Sequence, residues 1–278
     1  MLDCAVPVQP INLLDNSNFK DPYNQKGVAS GSTVTGWGFF MDRWCFRADS
    51  GVINFTPEGI NASAAIGQGL DPNKVKTGLM YTAAAKWYDG TICVASGIIQ
   101  RTDTWHSWSS ETINGHNLYV SDEGNGNTAC ITISSGLIEW AALYEGTYTL
   151  ETLPPYVPKD RSVEKHACEQ FFYRVTSPGL GVFGQGYAVS STAAMIVVKA
   201  PRMRTFAPTF SYSSGLYVRD FIGTESSLDA TGVSVTPYGW TDDSLLLYIT
   251  GLSGLTVRNP YLLQQKNTSA YIQFSAEV

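Results

Sequence analysis

Two tryptophans stand three residues apart in Thr104-Trp105-His106-Ser107-Trp108-Ser109. Each indole offers a flat apolar face, and the imidazole and hydroxyls around them offer hydrogen bonds. Such a set suits an exposed platform. The rings would stack on the C–H face of a sugar while polar neighbours hold its hydroxyls. Trp87-Tyr88, beside the turn pair Asp89-Gly90, repeats the pattern on a smaller scale. Trp105, Trp108, Trp87 and Tyr88 are therefore the expected glycan-binding residues, with Trp105 and Trp108 leading. The competing reading is that these rings point inward and build a core.

Other chemistry is thinner. Asp122-Glu123-Gly124-Asn125-Gly126-Asn127 spaces oxygen donors as calcium loops do. It lacks the terminal Glu of an EF-hand, and Asp and Asn equally suit a solvated turn, so no metal site is expected. His106, His116 and His166 show no metal-ligand spacing. Cys4, Cys45, Cys93, Cys130 and Cys168 are scattered without a Cys-x-x-Cys pair and read as reduced thiols. Neither His-Glu-x-x-His nor Gly-x-Ser-x-Gly occurs. The glycine-rich run 179–186 is not followed by Lys-Ser or Lys-Thr, which argues against a phosphate loop. Asp103, Glu111 and Glu139 are ordinary carboxylates in sequence terms. No catalytic residue and no cofactor are expected.

Charge narrows the partners. The net charge is −6, and only 15% of residues are charged, against about 25% in an average globular chain. There is no basic stripe for nucleic acid and no Lys/Arg run for an anionic membrane surface. No apolar run reaches the roughly 18 residues that a spanning helix needs. The first ten residues carry no positive, then apolar, leader pattern, so no secretory signal is expected.

The elements that must position these residues are mostly strands. Residues 1–11 read as an extended arm. Over 12–156 the alternation and the β-branched and aromatic content predict strands at Val52–Thr56, Leu79–Trp87, Thr91–Ile99, Thr128–Ile133 and Tyr144–Leu150. Asp89-Gly90 and Asn114-Gly115 mark turns between them. Trp37, Phe39 and Trp44 fit a core strand, and Asp42-Arg43 a pair fixing its end. Leu153-Pro154-Pro155-Tyr156-Val157-Pro158 reads as a rigid linker. Within 157–175 a helix is expected, capped by Ser162 with Glu164 in its first turn. Its apolar face would be Val163, Ala167, Cys168, Phe171 and Phe172. Over 176–278 strands return at Ala193–Val198, Ser213–Val218, Thr231–Thr236, Ser244–Thr250 and Ala270–Phe274. The fold class expected is all-β: an N-terminal jelly-roll sandwich, a short linking helix and a smaller C-terminal sandwich.

Several of these segments occur in a suggestive order. Asn12-Leu13-Leu14-Asp15-Asn16-Ser17-Asn18-Phe19 precedes Asn24-Gln25-Lys26-Gly27, then Asp42-Arg43-Trp44. Further on come Trp140–Gly146, Cys168-Glu169-Gln170-Phe171-Phe172, Pro201-Arg202-Met203-Arg204 and the closing Ala276-Glu277-Val278. This order resembles a family of phage and prophage tail proteins, which reads Asn-Leu-Leu-x-Asn-Ser-x-Phe, Asn-Gln-Arg-Gly and Asp-Arg-Trp. Lys26 replaces the usual Arg. The resemblance implies a carbohydrate-binding-module-like first domain, a linking helix and a C-terminal β domain. It further implies a place in the virion, assembled in the host cytoplasm, as a tail-fibre or receptor-binding subunit. The expected partners are other virion proteins, host surface carbohydrate and copies of the chain itself, most simply a trimer with the helix and C-terminal domain near its axis. The alternatives are a subunit without ligand in a head fibre, collar or baseplate, and a polysaccharide depolymerase.

Overall fold

Short runs of β-branched and aromatic residues, interrupted by glycine turns, make strands the dominant regular structure of this chain. The computed structural model describes residues 9–36, 38–101, 107–122, 129–176, 181–205, 208–223, 225–266 and 268–277. It is an all-β protein whose backbone divides into two units, one running to Cys168 and the other covering Glu169–Glu277.

Among the described residues the first unit is a jelly-roll-like sandwich of two six-stranded antiparallel sheets. One orders Ser32–Thr35, Ser50–Thr56, Gly59–Ala62, Gly136–Glu145, Met80–Trp87 and Ile92–Ile98. The other orders Phe39–Met41, Trp44–Phe46, Ile66–Gly69, Ala129–Ile133, His116–Asp122 and Ser107–Ile113. Alternation sends Trp44, Phe46, Ile53, Ile60, Ala83, Ala85, Leu118 and Ile131 into the space between them. Trp44 anchors one end. Its ring meets Phe19 edge-on at 4.9 Å, and its Nε1–H donates to the Asp15 and Asn16 carbonyls. Phe39 is half-buried, and Trp37 lies outside the described residues. Asp42-Arg43 forms the turn between its two strands, with Arg43 at φ 71. The last strand of the unit is Gly136–Glu145. The Tyr144–Leu150 expectation is thus displaced, because Gly146 at φ 105 turns the chain out of the ladder.

The asparagine-rich segment beginning at Asn12 is a polar strap. Asn12 Oδ1 accepts the N–H of Leu14 and Leu143, and its amide donates to Ser17 and to the Ala141 carbonyl. Gln68 brackets Asp15, accepting its N–H at 2.9 Å and donating to its carbonyl at 2.6 Å. Asn16 at φ 54 turns its amide to the Tyr23 and Asp42 carbonyls. The Asp15 carboxylate is buried against Lys74, with Lys159 and Arg43 at 3.5 and 3.7 Å. Burial alone would raise its pKa. The three cations outweigh burial and hold it below the usual carboxylate range.

The helix Arg161–Glu169 docks on this strap and belongs to the first unit up to Cys168. Glu164 is buried and its carboxylate accepts the Asn16 N–H, while Lys159 bridges Glu164, Asp15 and the Leu14 carbonyl. The stretch read as a linker is likewise packed down, with Tyr156 stacked on Trp140 at 4.7 Å. Two details of the helix depart from expectation. Asp160, not Ser162, is the cap: its carboxylate accepts the Ser162 N–H at 2.8 Å, and its carbonyl the Glu164 N–H. Val163 is 56% exposed, so the inward residues are Glu164 and Cys168.

Among the described residues, the second unit pairs a three-stranded sheet with a seven-stranded one. The first orders Phe172–Thr176, Tyr271–Ser275 and Thr209–Tyr212. The second orders Glu225–Ser227, Leu216–Arg219, Pro260–Gln265, Val182–Ser190, Ala193–Lys199, Ser244–Thr250 and Ser234–Trp240. Ile196, Val198, Leu247 and Leu263 pack against Ile272 and Phe274. Of the glycine-rich run, residues 182–186 lie in a central strand. A Cβ on Gly186 would lie 1.7 Å from the Met195 carbonyl oxygen and one on Gly184 2.3 Å from that of Val197, so these two glycines serve close strand approach.

Candidate functional site

The expected site residues separate. Trp87 is 1% exposed; its ring stacks on His116 at 4.5 Å within the core, and no ligand face remains open on it. Tyr88, on the turn that follows, is 58% exposed. Gly90 at φ 91 closes that turn, and Asp89 fixes it by accepting the Thr91 N–H and pairing with His116 at 3.0 Å. The Thr91 N–H and the His116 ring hold the Asp89 carboxyl below its ordinary value. Trp105 and the Trp108 side chain lie outside the described residues, as does the 123–128 portion of the acidic loop.

The backbone still decides one matter. Trp108 sits near the start of the strand Ser107–Ile113, which ends in the Asn114-Gly115 turn. Asn114 bonds Thr91 at 3.1 Å, so that turn adjoins Tyr88. An extended strand rises about 3.3 Å per residue, which puts Trp108 and Asn114 on the order of 20 Å apart. Trp108 therefore lies at the far end of the Ser107–Ile113 edge strand from the turn that adjoins Tyr88.

A groove runs along that edge. The strand Ile92–Ile98 ends one sheet and Ser107–Ile113 ends the other, and these two edge strands lie side by side. Unpaired edge N–H groups need partners. Glu111 supplies one, accepting the Val94 N–H across the gap, and the Cys93 thiol reaches the His116 carbonyl. Burial pushes that thiol up, so it stays protonated. Past Gly146 the chain folds across the outside of the neighbouring strands. Thr82 Oγ1 donates to the Gly146 carbonyl at 2.8 Å and accepts the Tyr148 N–H at 3.0 Å. Between this cover and the two edges is a groove of about 410 Å³, lined by Ile92, Val94, Ser96, Glu111, Ile113 and Thr147–Leu150.

Its composition suits a polyhydroxylated ligand. Tyr148 contributes an aromatic wall, steadied edge-on by Tyr144 at 6.2 Å. Ser96, Thr147 and Thr149 contribute hydroxyls, Glu111 a carboxylate, and Ile92 and Val94 an apolar floor. The volume lies in the range of small-ligand sites, roughly 300–1,000 Å³. Glu111 carried no signal in the sequence, and Tyr148 was read as part of a strand; only the fold brings them together.

Among the described residues, no group of three or more His, Cys, Asp or Glu is placed to hold a metal ion. No helix among the described residues is long and apolar enough to cross a membrane. Comparison with family models, with curated proteins and with solved structures found no match to this chain.

Proposed function

We propose that this chain is a structural subunit of a bacteriophage particle, of tail-fibre or receptor-binding type, and that it attaches to carbohydrate on the host surface. The groove beside Tyr148 and Glu111 carries the binding half of this reading, because it joins an aromatic wall to hydroxyl and carboxylate groups on a rigid sheet edge. The ordered motifs from Asn12 to Val278 support the virion half through their resemblance to tail proteins. Glycosidases usually flank the scissile bond with two carboxyl groups. Among the described lining residues Glu111 is the one carboxylate, which favours binding over cleavage. Multivalent display on a trimer would convert weak single sites into firm attachment by raising the effective concentration for rebinding.

The test uses the full chain and host-surface polysaccharide in a surface-binding assay. Tyr148→Ala and Glu111→Gln should each weaken binding several-fold, since aromatic contacts contribute roughly 0.5–1.5 kcal/mol beyond burial. Unchanged binding in both variants would remove the groove from the site. Light scattering checks the trimer; a stable monomer with no assembly in the particle counts against it.

A second reading has its own support. Asn12, Asp15, Asn16, Asp42 and Trp44, which carry much of the resemblance, are all spent on buried hydrogen bonds that hold the first unit together. A purely structural collar, baseplate or head-fibre subunit would use them the same way. Absence of binding across a glycan array, with the chain present in the particle, would favour it.

A further inference from the structure

We propose that the second unit carries a separate subsite for a neutral sugar ring, built on Trp240 with Arg202 and Asp242 at its rim. The proposal extends the carbohydrate-binding reading above and rests on it for the source of the ligand, but the site is distinct from the groove.

The sequence places these residues through two chain segments. Trp240 ends the edge strand Ser234–Trp240, whose register shifts between Pro237 and Gly239. The turn that follows is tightly fixed: Thr241 N–H donates to the Ser244 carbonyl at 2.9 Å, and Thr241 Oγ1 accepts the Ser244 N–H at 3.1 Å. The Asp243 carbonyl accepts the Ala200 N–H at 3.1 Å, which fastens this turn to the end of the strand Ala193–Lys199. Pro201, Arg202 and Met203 follow directly. Met203 is buried, and Arg202 pairs with Asp242 at 3.3 Å. Arg202, Met203, Thr205, Trp240, Thr241 and Asp242 line an open cavity of about 100 Å³.

Each feature selects for the same ligand chemistry. The Trp240 ring is half-buried, held edge-on to Phe274 at 5.5 Å, and also lines the cavity. A fixed indole of this kind favours an apolar C–H face. Arg202 offers only donors and Asp242 only acceptors. A pair of adjacent hydroxyls donates and accepts at once, so it can bridge both groups without leaving either unpaired. An anion would meet Asp242 and a cation would meet Arg202, so a net charge of either sign is disfavoured. At about 100 Å³ the cavity is smaller than a full ligand site of roughly 300–1,000 Å³, so it takes one face of a single ring and not an extended chain.

The ion pair is also convenient to test, because its side chains are 68% and 85% exposed. Exposed pairs contribute little to stability, so replacing them leaves the fold intact. The experiment titrates the full chain with methyl α-D-glucopyranoside, methyl α-D-galactopyranoside and N-acetylglucosamine, with N-acetylneuraminic acid as the charged control. Saturation-transfer NMR and tryptophan fluorescence read binding, and melting temperature monitors the fold. The Tyr148→Ala background weakens the groove several-fold. In that background at least one neutral sugar should still bind with the affinity it has for the unaltered chain. Adding Arg202→Ala or Asp242→Asn should then weaken it about ten-fold, because hydrogen bonds to charged groups are among the stronger ones. Equal binding of the charged control would overturn the neutral class. If Tyr148→Ala alone removes all sugar binding, the subsite is refuted and the groove stands. Binding that survives both rim substitutions also refutes it. If no sugar binds the unaltered chain, both sites fall.

Discussion

Consecutive side chains in an extended strand leave opposite faces, and Trp87-Tyr88 obeys this at the end of Met80–Trp87. One ring is in the core and the next is in solvent. Trp87→Ala should therefore lower stability by about 3–5 kcal/mol, as large-to-small changes at buried aromatics do. Tyr88→Ala should stay within about 0.5 kcal/mol of the parent, as exposed positions do. Urea unfolding of the two variants checks both; a small loss for Trp87→Ala would mean that its ring is not packed. The split between these neighbours was legible in the alternation of the strand, although composition suggests a joint aromatic platform. Glu111 was not legible. Its role depends on the Val94 N–H of a different sheet, a pairing that no local pattern records.

The helix Arg161–Glu169 shows what an element adds to its residues. Its position was legible from the Pro-rich approach and the three- and four-residue spacing of Val163, Ala167, Cys168, Phe171 and Phe172, although Val163 is exposed, and its cap was misplaced by two residues because Asp160 and Ser162 are both good caps. The burial of Glu164 was hidden, since its partner is the Asn16 N–H, 148 residues away in sequence. Burial raises the Glu164 pKa above the usual Glu value despite Lys159 and that N–H. A carboxyl raised on folding keeps a proton that the unfolded chain has lost. Between the ordinary value and the raised one, stability thus falls as pH rises. Asp15 acts oppositely: its folded pKa is lowered, so its contribution is complete above the ordinary Asp value and is lost as pH falls through the folded one. Glu164→Gln keeps an acceptor for Asn16 and removes one titration. Melting temperature followed from about pH 3 to about pH 8 should lose its decline just above the ordinary Glu range and keep its acid limb. A variant curve parallel to the parent's throughout would mean that Glu164 titrates normally.

At the scale of the whole chain, the interruption of strand texture between Leu153 and Phe172 contains the division, which falls at Cys168 and Glu169, at the end of the helix and not in the Pro-rich stretch before it. Proline density points to a rigid linker over 153–158. Stacking of Tyr156 on Trp140 and the docking of Glu164 instead draw that segment and the helix onto the first unit. The two cores are separate among the described residues: one centres on Trp44, Ile131 and Leu143, the other on Ile196, Leu247 and Phe274. Each has its own apolar interior, and units with separate interiors unfold as separate cooperative blocks unless a large interface couples them. Calorimetry of the full chain should accordingly resolve two transitions. Ile131→Ala should lower only one of them and Ile196→Ala only the other, each by about 2–5 kcal/mol, because both side chains are fully buried. A single transition that shifts as a whole with either substitution would show that the two units fold as one.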